Sequence, residues 1–126
     1  QLTFSQEIKM DGVIIVSTPQ EVALLDVIRG IKMFDKLGVK ILGLVDNMSY
    51  FTADDNKKYR IFGEGGVKRT AEEFKKEFLG EIPIDQKIGK YGDEGKPIVE
   101  AVPNHEISKI YLELASRIKS SFFNLT

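Results

Sequence analysis

Apolar residues in this chain fall into two kinds of pattern. Val13-Ile14-Ile15-Val16-Ser17 and the run Val39–Val45 are nearly unbroken, as expected of strands covered on both faces of a parallel sheet. Phe78-Leu79-Gly80-Glu81-Ile82 reads as a third, shorter strand, ended by Pro83. Between the strands the period changes to that of a helix. Val22, Leu25, Ile28, Met33 and Phe34 predict an inward face on a helix from about Pro19 to Leu37. Thr18 is its expected N-cap, Pro19 its first residue, Glu21 the partner in a T-x-x-E capping box, and Gly38 its left-handed stop. Val67, Ala71, Phe74 and Phe78 line one face of a second helix, about 67–77. Ile84–Ile88 looks like a helical turn, and Gly89, Gly92, Gly95 and Pro97 mark an irregular stretch. Ile107, Ile110, Tyr111, Leu114, Ala115 and Ile118 predict a last helix from Asn104 or His105 to Phe122. Residues 1–11 read as a helix tail or a loop.

The predicted fold is α/β, in the order β-α-β-loop-α-β-turn-α. Three parallel strands with three helices make an incomplete sheet, because doubly wound domains usually have five strands or more. The expectation is the C-terminal half of a doubly wound, mostly parallel sheet, with the missing strands before Gln1. An unpaired edge is then expected at 13–17 or at 40–45.

Composition narrows the function classes. The 126 residues suit one domain, and 42% hydrophobic with 29% charged residues is a globular balance. Net charge is −1, from 18 basic and 19 acidic residues, which gives no electrostatic footprint for nucleic acid or a membrane surface. No cysteine is present. That excludes disulfides and thiolate ligation of zinc or an iron–sulfur cluster by this chain alone. The triplet Asn124-Leu125-Thr126 is a chance match to a glycosylation acceptor.

Ligands of open α/β sheets sit past the carboxyl ends of the strands. The residue placed there by the second run is Asn47, which opens a long polar excursion, 46–65. Its amide can both donate and accept, as the edge of a purine requires, or it can simply end the strand in an Asx-turn; spacing leaves both readings open. Pro83-Ile84-Asp85 holds the same place after the third strand. Gly63-Glu64-Gly65-Gly66 lacks the lysine and Ser/Thr of a P-loop and reads as a turn into a helix. Asp54, Asp55 and Asn56 read as a solvated loop tip, because no downstream Glu completes a calcium loop. His105, the single histidine, reads as a helix-start residue, and Asp26 with Arg29 as a helical ion pair.

VSTPQEVALLDVIRGIKMF, LGLVDNMSYF, IFGEGG, FLGEIPID and GKPIV, in that order, resemble the C-terminal half of the Mrp/ApbC-type iron–sulfur cluster carriers. These are P-loop ATPases of the MinD/ParA-like superfamily. The resemblance implies a nucleotide-binding hydrolase fold, homodimers, ATP with Mg in the intact protein, a [4Fe–4S] cluster, and delivery to recipient apo-iron–sulfur proteins. It implies no nucleic acid and no membrane partner, and a cytoplasmic or organellar setting (mitochondrial matrix or plastid). It assigns the base side of the nucleotide to Asn47, Met48, Pro83, Ile84 and Asp85. It assigns no catalytic residue to this chain, since the Walker A loop and switch aspartates would precede Gln1. Most members carry a C-x-x-C pair after the N-M-S-Y-F block. Here Ala53 and Asn56 fall near those positions, and FTADDNKKYRIFG resembles the high-chlorophyll-fluorescence subgroup, which lacks the pair. The alternative of another class is a non-catalytic interaction module of the same fold. A spatial-organisation ATPase fits less well, because N-M-S-Y-F and IFGEGG resemble the carriers.

The isolated chain is expected to be marginally stable, aggregation-prone or oligomeric. Analytical ultracentrifugation with thermal melts checks this. A monomer at all concentrations, melting cooperatively, would contradict the expectation of an incomplete sheet.

Overall fold

The computed structural model describes residues 10–123. The expectations for the first nine residues and for the triplet 124–126 lie outside them. The elements run β1 Val13–Ser17, α1 Glu21–Leu37, β2 Ile41–Asn47, β3 Phe51–Thr52, β4 Lys58–Tyr59, α2 Gly66–Glu73, β5 Phe78–Ile82, α3 Gln86–Asp93, α4 Ile98–Ala101 and α5 Glu106–Phe123. The main sheet is parallel, in the order β1-β2-β5.

The α/β fold with a parallel sheet is as expected. Helices cover both faces. Val27, Ile31 and Phe34 of α1 pack with Val67 and Ala71 of α2 against Ile41 and Leu44. Leu114 of α5 packs with Val45, Leu79 and Ile82 on the other side. β2 is therefore the inner strand, with Ile41 to Asp46 all buried. That corrects half of the edge expectation: among the described residues the outer strands are β1 and β5, and 40–45 is the centre. On β1, Val16 is 57% exposed.

Three helix expectations are also corrected. Helix α1 begins at Glu21 with Gln20 as N-cap and no side-chain cap. Thr18 bonds the Gln20 side chain instead; Gln20 is extended, and Gly63 packs against buried Pro19, where a Cβ at Gly63 would lie 2.7 Å from the Pro19 carbonyl oxygen. The helix carries two apolar stripes, and only one can face the sheet. Val27, Ile31 and Phe34 take that place, and Val22 and Leu25 stand 79% and 60% exposed. On α5, Ala115 is likewise exposed. Helix α3 runs through Gly89 and Gly92, which were expected in irregular chain, and ends before left-handed Gly95.

Gly38 closes α1 in the left-handed conformation as expected, at φ 71°. Helix α2 stops well short of residue 77 because Lys75 adopts φ 57°. The Lys75 amide then donates to the Glu72 carbonyl and that of Lys76 to the Ala71 carbonyl, which satisfies the last carbonyls of the helix. A lysine at this place bears the Cβ clash that glycine avoids. Lys75→Gly is expected to stabilise the fold by about 0.5–1 kcal/mol in urea denaturation. Unchanged or reduced stability would contradict this reading of the turn.

Candidate functional site

Asn47 is the last residue of β2 and pairs in register with Ile82, the last residue of β5. The pairing continues beyond both strands. The Ser49 amide donates to the Ile82 carbonyl at 3.0 Å, and the Ile84 amide donates to the Tyr50 carbonyl at 2.7 Å. Two sequence segments, 47–50 and 82–85, thus become one surface. Of the predicted site residues, Asn47, Met48, Pro83, Ile84 and Asp85 all fall in it.

Their side chains do different things. The Asn47 Oδ1 accepts from the Met48 amide at 3.0 Å, so the Asx-type contact is present. An amide oxygen has a second lone pair, and the NH2 group remains, so the contact leaves donors and an acceptor for a ligand. Met48 is 38% exposed and holds φ 55°, an uncommon conformation for this residue type. Asp85 caps α3, its carboxylate accepting from the Lys87 amide at 2.8 Å. A cavity of about 350 Å³ opens beside Pro83, Ile84 and Asp85 and is also lined by Tyr50, Phe51, Lys87 and His105. Asn47 and Met48 are not in its wall, so the predicted residues share a ladder but not a single cavity.

The excursion expected as a plain loop contains a two-stranded ribbon, in which Phe51 pairs with Tyr59 and Thr52 with Lys58. Its tip is solvated, as predicted. Asp55 accepts from the Lys57 amide and from the Tyr59 hydroxyl, and these bonds hold its carboxyl below the usual range. The expected turn into a helix at Gly63–Gly66 is present. A Cβ at Gly66 would lie 2.6 Å from the Leu24 side chain, so these glycines serve the packing of α2 on α1. Asp26 and Arg29 pair at 3.6 Å on an exposed face, and the His105 ring caps α5 by accepting from the Ile107 amide.

Sequence reasoning missed the polar cluster beneath the site. Asp46 is only 1% exposed. It is flanked by Ser49, Glu81 and Arg60. The Ser49 hydroxyl and the Arg60 guanidinium both bond Glu81. Tyr50, buried, has the Lys58 ammonium 4.5 Å and the Arg60 guanidinium 5.5 Å from its ring centre. These contacts tie the ribbon to the ends of β2 and β5. An Asp inside an otherwise apolar run was the available signal, since a buried carboxylate needs partners.

Burial pushes the Asp46 carboxyl up to about 6 from the ordinary 3.8; the Ser49 bond works against this, and the Glu81 charge adds to it. Burial acts to raise Glu81 too, but the bonds from Arg60 and Ser49 outweigh it and hold that carboxyl low. Among the described residues one Asp46 oxygen, Oδ1, has no hydrogen-bond partner. Among the described residues no group of three or more His, Asp or Glu is placed to hold a metal ion, and no helix is long and apolar enough to cross a membrane.

Residues 1–119 match the family described as ParA, NUBPL iron-transfer P-loop NTPase. The chain belongs to this family. It is 47% identical over 119 residues to an Arabidopsis thaliana protein named iron-sulfur protein required for NADH dehydrogenase, mitochondrial, covering 94% of this chain and 38% of that one. It is 40% identical to an Aquifex aeolicus iron-sulfur cluster carrier protein, covering 91% of this chain and 32% of that one. This family member thus spans about a third of the length of these curated relatives. Among solved structures, a nucleotide-binding protein from Archaeoglobus fulgidus in complex with ADP superposes with a TM-score of 0.67 at 39% identity, over 75% of this chain and 40% of that one. The Pyrococcus furiosus cell division ATPase MinD, with TM-score 0.69 at 24% identity, covers 87% of this chain and 43% of its own and agrees in fold.

Two outcomes follow from the cluster. Asp46 binds its proton more tightly folded than unfolded, so its contribution is complete below pH 3.8 and is lost as pH rises through about 6. Glu81 acts in the opposite sense, losing its contribution as pH falls below the ordinary 4.5. Stability should therefore fall between about pH 4.5 and 6. Asp46→Asn should flatten that slope in melting scans, and an unchanged slope would exclude Asp46 as its source. Arg60→Ala should speed hydrogen exchange at the ribbon amides of Ala53 and Asn56 about tenfold or more, roughly one charge-assisted bond. Exchange at the wild-type rate would show that the ribbon holds itself.

Proposed function

We propose that this chain is the base-side portion of an ATP-binding iron–sulfur cluster carrier. The observation that carries the proposal is the ladder joining Asn47 to Ile82 and Tyr50 to Ile84, which sets the five predicted base-side residues on one surface at the carboxyl ends of β2 and β5. Ligands of doubly wound sheets bind at such ends. Support comes from the ADP complex of the Archaeoglobus relative and from the carrier and transfer names of the curated relatives.

The division of labour is as follows. Asn47 and the 82–85 segment orient the base. Phosphates, Mg and the hydrolytic groups belong to a segment preceding Gln1 in the intact protein, where P-loop chemistry is mainly positioning and electrostatic stabilisation. The intact protein works as a homodimer and passes its cargo to recipient apo-iron–sulfur proteins, in an organelle or in the cytoplasm. The residues present do not fit the cluster as a ligand set. At the 52–60 ribbon the side chains are Thr, Ala, Asp, Asn, Lys, Tyr and Arg, and an iron–sulfur cluster needs soft thiolates. On this reading the chain is similar to carriers that lack C-x-x-C, and the cargo ligands come from another segment or another protein.

In the intact protein, Asn47→Ala should weaken ATP binding about tenfold, the equivalent of about 1.4 kcal/mol, with turnover at saturating ATP little changed. The chain alone should neither hydrolyse ATP above a no-protein control nor acquire cluster absorbance on anaerobic reconstitution. Turnover by the chain alone would overturn the assignment of hydrolysis to the preceding segment.

A further inference from the structure

Two carboxylates depend on a single hydroxyl at the root of the ribbon. Asp46, only 1% exposed, and Glu81 are register partners on β2 and β5. The Ser49 hydroxyl donates to Glu81 and is also the side chain that hydrogen-bonds Asp46. A hydroxyl has one proton to give and two lone pairs. The Arg60 guanidinium, just past β4, takes one of those lone pairs at 3.2 Å and bonds Glu81 as well. With Ser49 donating to Glu81 and accepting from Arg60, one lone pair is left for Asp46. Only a protonated Asp46 can fill it, because an ionised carboxylate has nothing to donate.

The surroundings give an ionised Asp46 little else. Its Oδ1 has no hydrogen-bond partner among the described residues. Ser17, the register partner on β1, gives its hydroxyl to the Thr18 carbonyl. Helices α1, α2 and α5 bring Val27, Ile31, Val67 and Leu114 to the sheet, and Thr70 of α2 spends its hydroxyl on the Gly66 carbonyl. The charges that act on Asp46 are those of Glu81 and Arg60, and Glu81 repels the ionised form more than Arg60 attracts it. Lys58 and Glu64 stand one step away, Lys58 acting on Glu81 and Glu64 pairing with Arg60. Burial is the larger influence and works in the same direction as Glu81, which brings the Asp46 carboxyl to about 6 from the ordinary 3.8.

We propose that a proton on Asp46 latches the 51–60 ribbon to the ends of β2 and β5. With the proton bound, every donor and acceptor of the Ser49 hydroxyl is used and Arg60 is held at Glu81. When the proton passes to solvent water, the hydroxyl can serve only one of the two acids, and two negative charges face one guanidinium. Withdrawal of Arg60 then lets water reach Asp46, and hydration is what a buried ionised carboxylate gains by opening. Closing takes up a proton and opening releases it, so opening grows as pH rises toward about 6. The ribbon is clamped in mild acid and released near neutrality. It carries the exposed rings of Phe51 and Tyr59, so pH sets how firmly that aromatic pair is presented. The latch needs no nucleotide and stands whether or not the base-side surface binds one.

The test follows hydrogen exchange of the full 126-residue chain between about pH 5 and 7, corrected for the intrinsic pH dependence of exchange. The Ala53 and Asn56 amides, bonded to the Lys57 and Ala53 carbonyls, report the ribbon, and the Leu44 amide, bonded to the Glu77 carbonyl, reports the core. The ribbon amides should be less protected than Leu44 at every pH, and their protection should fall about tenfold over this range. Asp46→Asn, which keeps a donor for Ser49 and cannot ionise, should hold them at the acid level throughout. His105→Asn keeps a capping oxygen for α5 and removes the chain's single histidine; the fall should survive it. Ribbon protection that stays flat while that of Leu44 falls would overturn the latch, because the proton would then be linked to global unfolding alone. So would ribbon and core amides exchanging together at every pH, or a fall that persists in Asp46→Asn and vanishes in His105→Asn. The wild-type chain gives a second reading: the Asp46 carboxyl carbon and the Ala53 and Asn56 amides should titrate with one midpoint near 6, and separate midpoints would overturn the latch even where a variant fails to fold.

Discussion

The parallel pairing of β2 with β5 does not stop where the strands stop. Past Asn47 and Ile82 the chain still exchanges the Ser49 and Ile84 amide bonds. This extension keeps 47–50 beside 82–85, segments more than 30 residues apart in sequence. It exists because β2 is the inner strand, buried on both faces and paired on both edges. A strand so constrained delivers its carboxyl end to a fixed place. The cluster of Asp46, Ser49, Glu81 and Arg60 then fastens the ribbon to that place from below. Burying a carboxylate in such a cluster is costly. Part of that cost is offset because Ser49 and Arg60, which bond Glu81, also stand beside Asp46 and favour its charged form.

Much of this was legible in the sequence. The runs Val13–Ser17, Ile41–Val45 and Phe78–Ile82 became strands, since β-branched and Leu-rich runs have only one use in a two-sided sheet. Gly38 became a left-handed cap. The base-side candidates met because carboxyl ends of neighbouring parallel strands must meet. What failed was any choice between locally equivalent options. Val22 and Leu25 form as good a stripe as the buried one, and only the packed sheet selects. Thr18 had the capping residue type, but Pro19 was held by a contact with Gly63, far along the chain. Strand order was also hidden: nothing local in 40–45 says that β5 would pair on its free side. The polar cluster was missed because its members are spread from Asp46 to Glu81 and only burial joins them.

The 52–60 ribbon keeps its shape through contacts of its own side chains and those of the strand ends. The ribbon is closed by Asp55 on the Lys57 amide and the Tyr59 hydroxyl, and anchored by contacts of Lys58 and Arg60 with the Tyr50 ring. Hydrogen bonds and cation–π contacts thus maintain an ordered projection beside the proposed base site. Phe51 and Tyr59, 42% and 45% exposed, face outward as a cross-strand pair. In the proposed carrier this projection is linked through Glu81 and Tyr50 to the segment that meets the nucleotide.

The central claim is that 47–50 and 82–85 are a single ligand-bearing unit. Hydrogen exchange at the Ser49 and Ile84 amides of the intact protein, with and without ATP, tests it most directly. These two amides make the reciprocal bonds of the extension. The account predicts that ATP slows both by the same factor. Slowing at one amide alone, or at neither while ATP is bound, would contradict it.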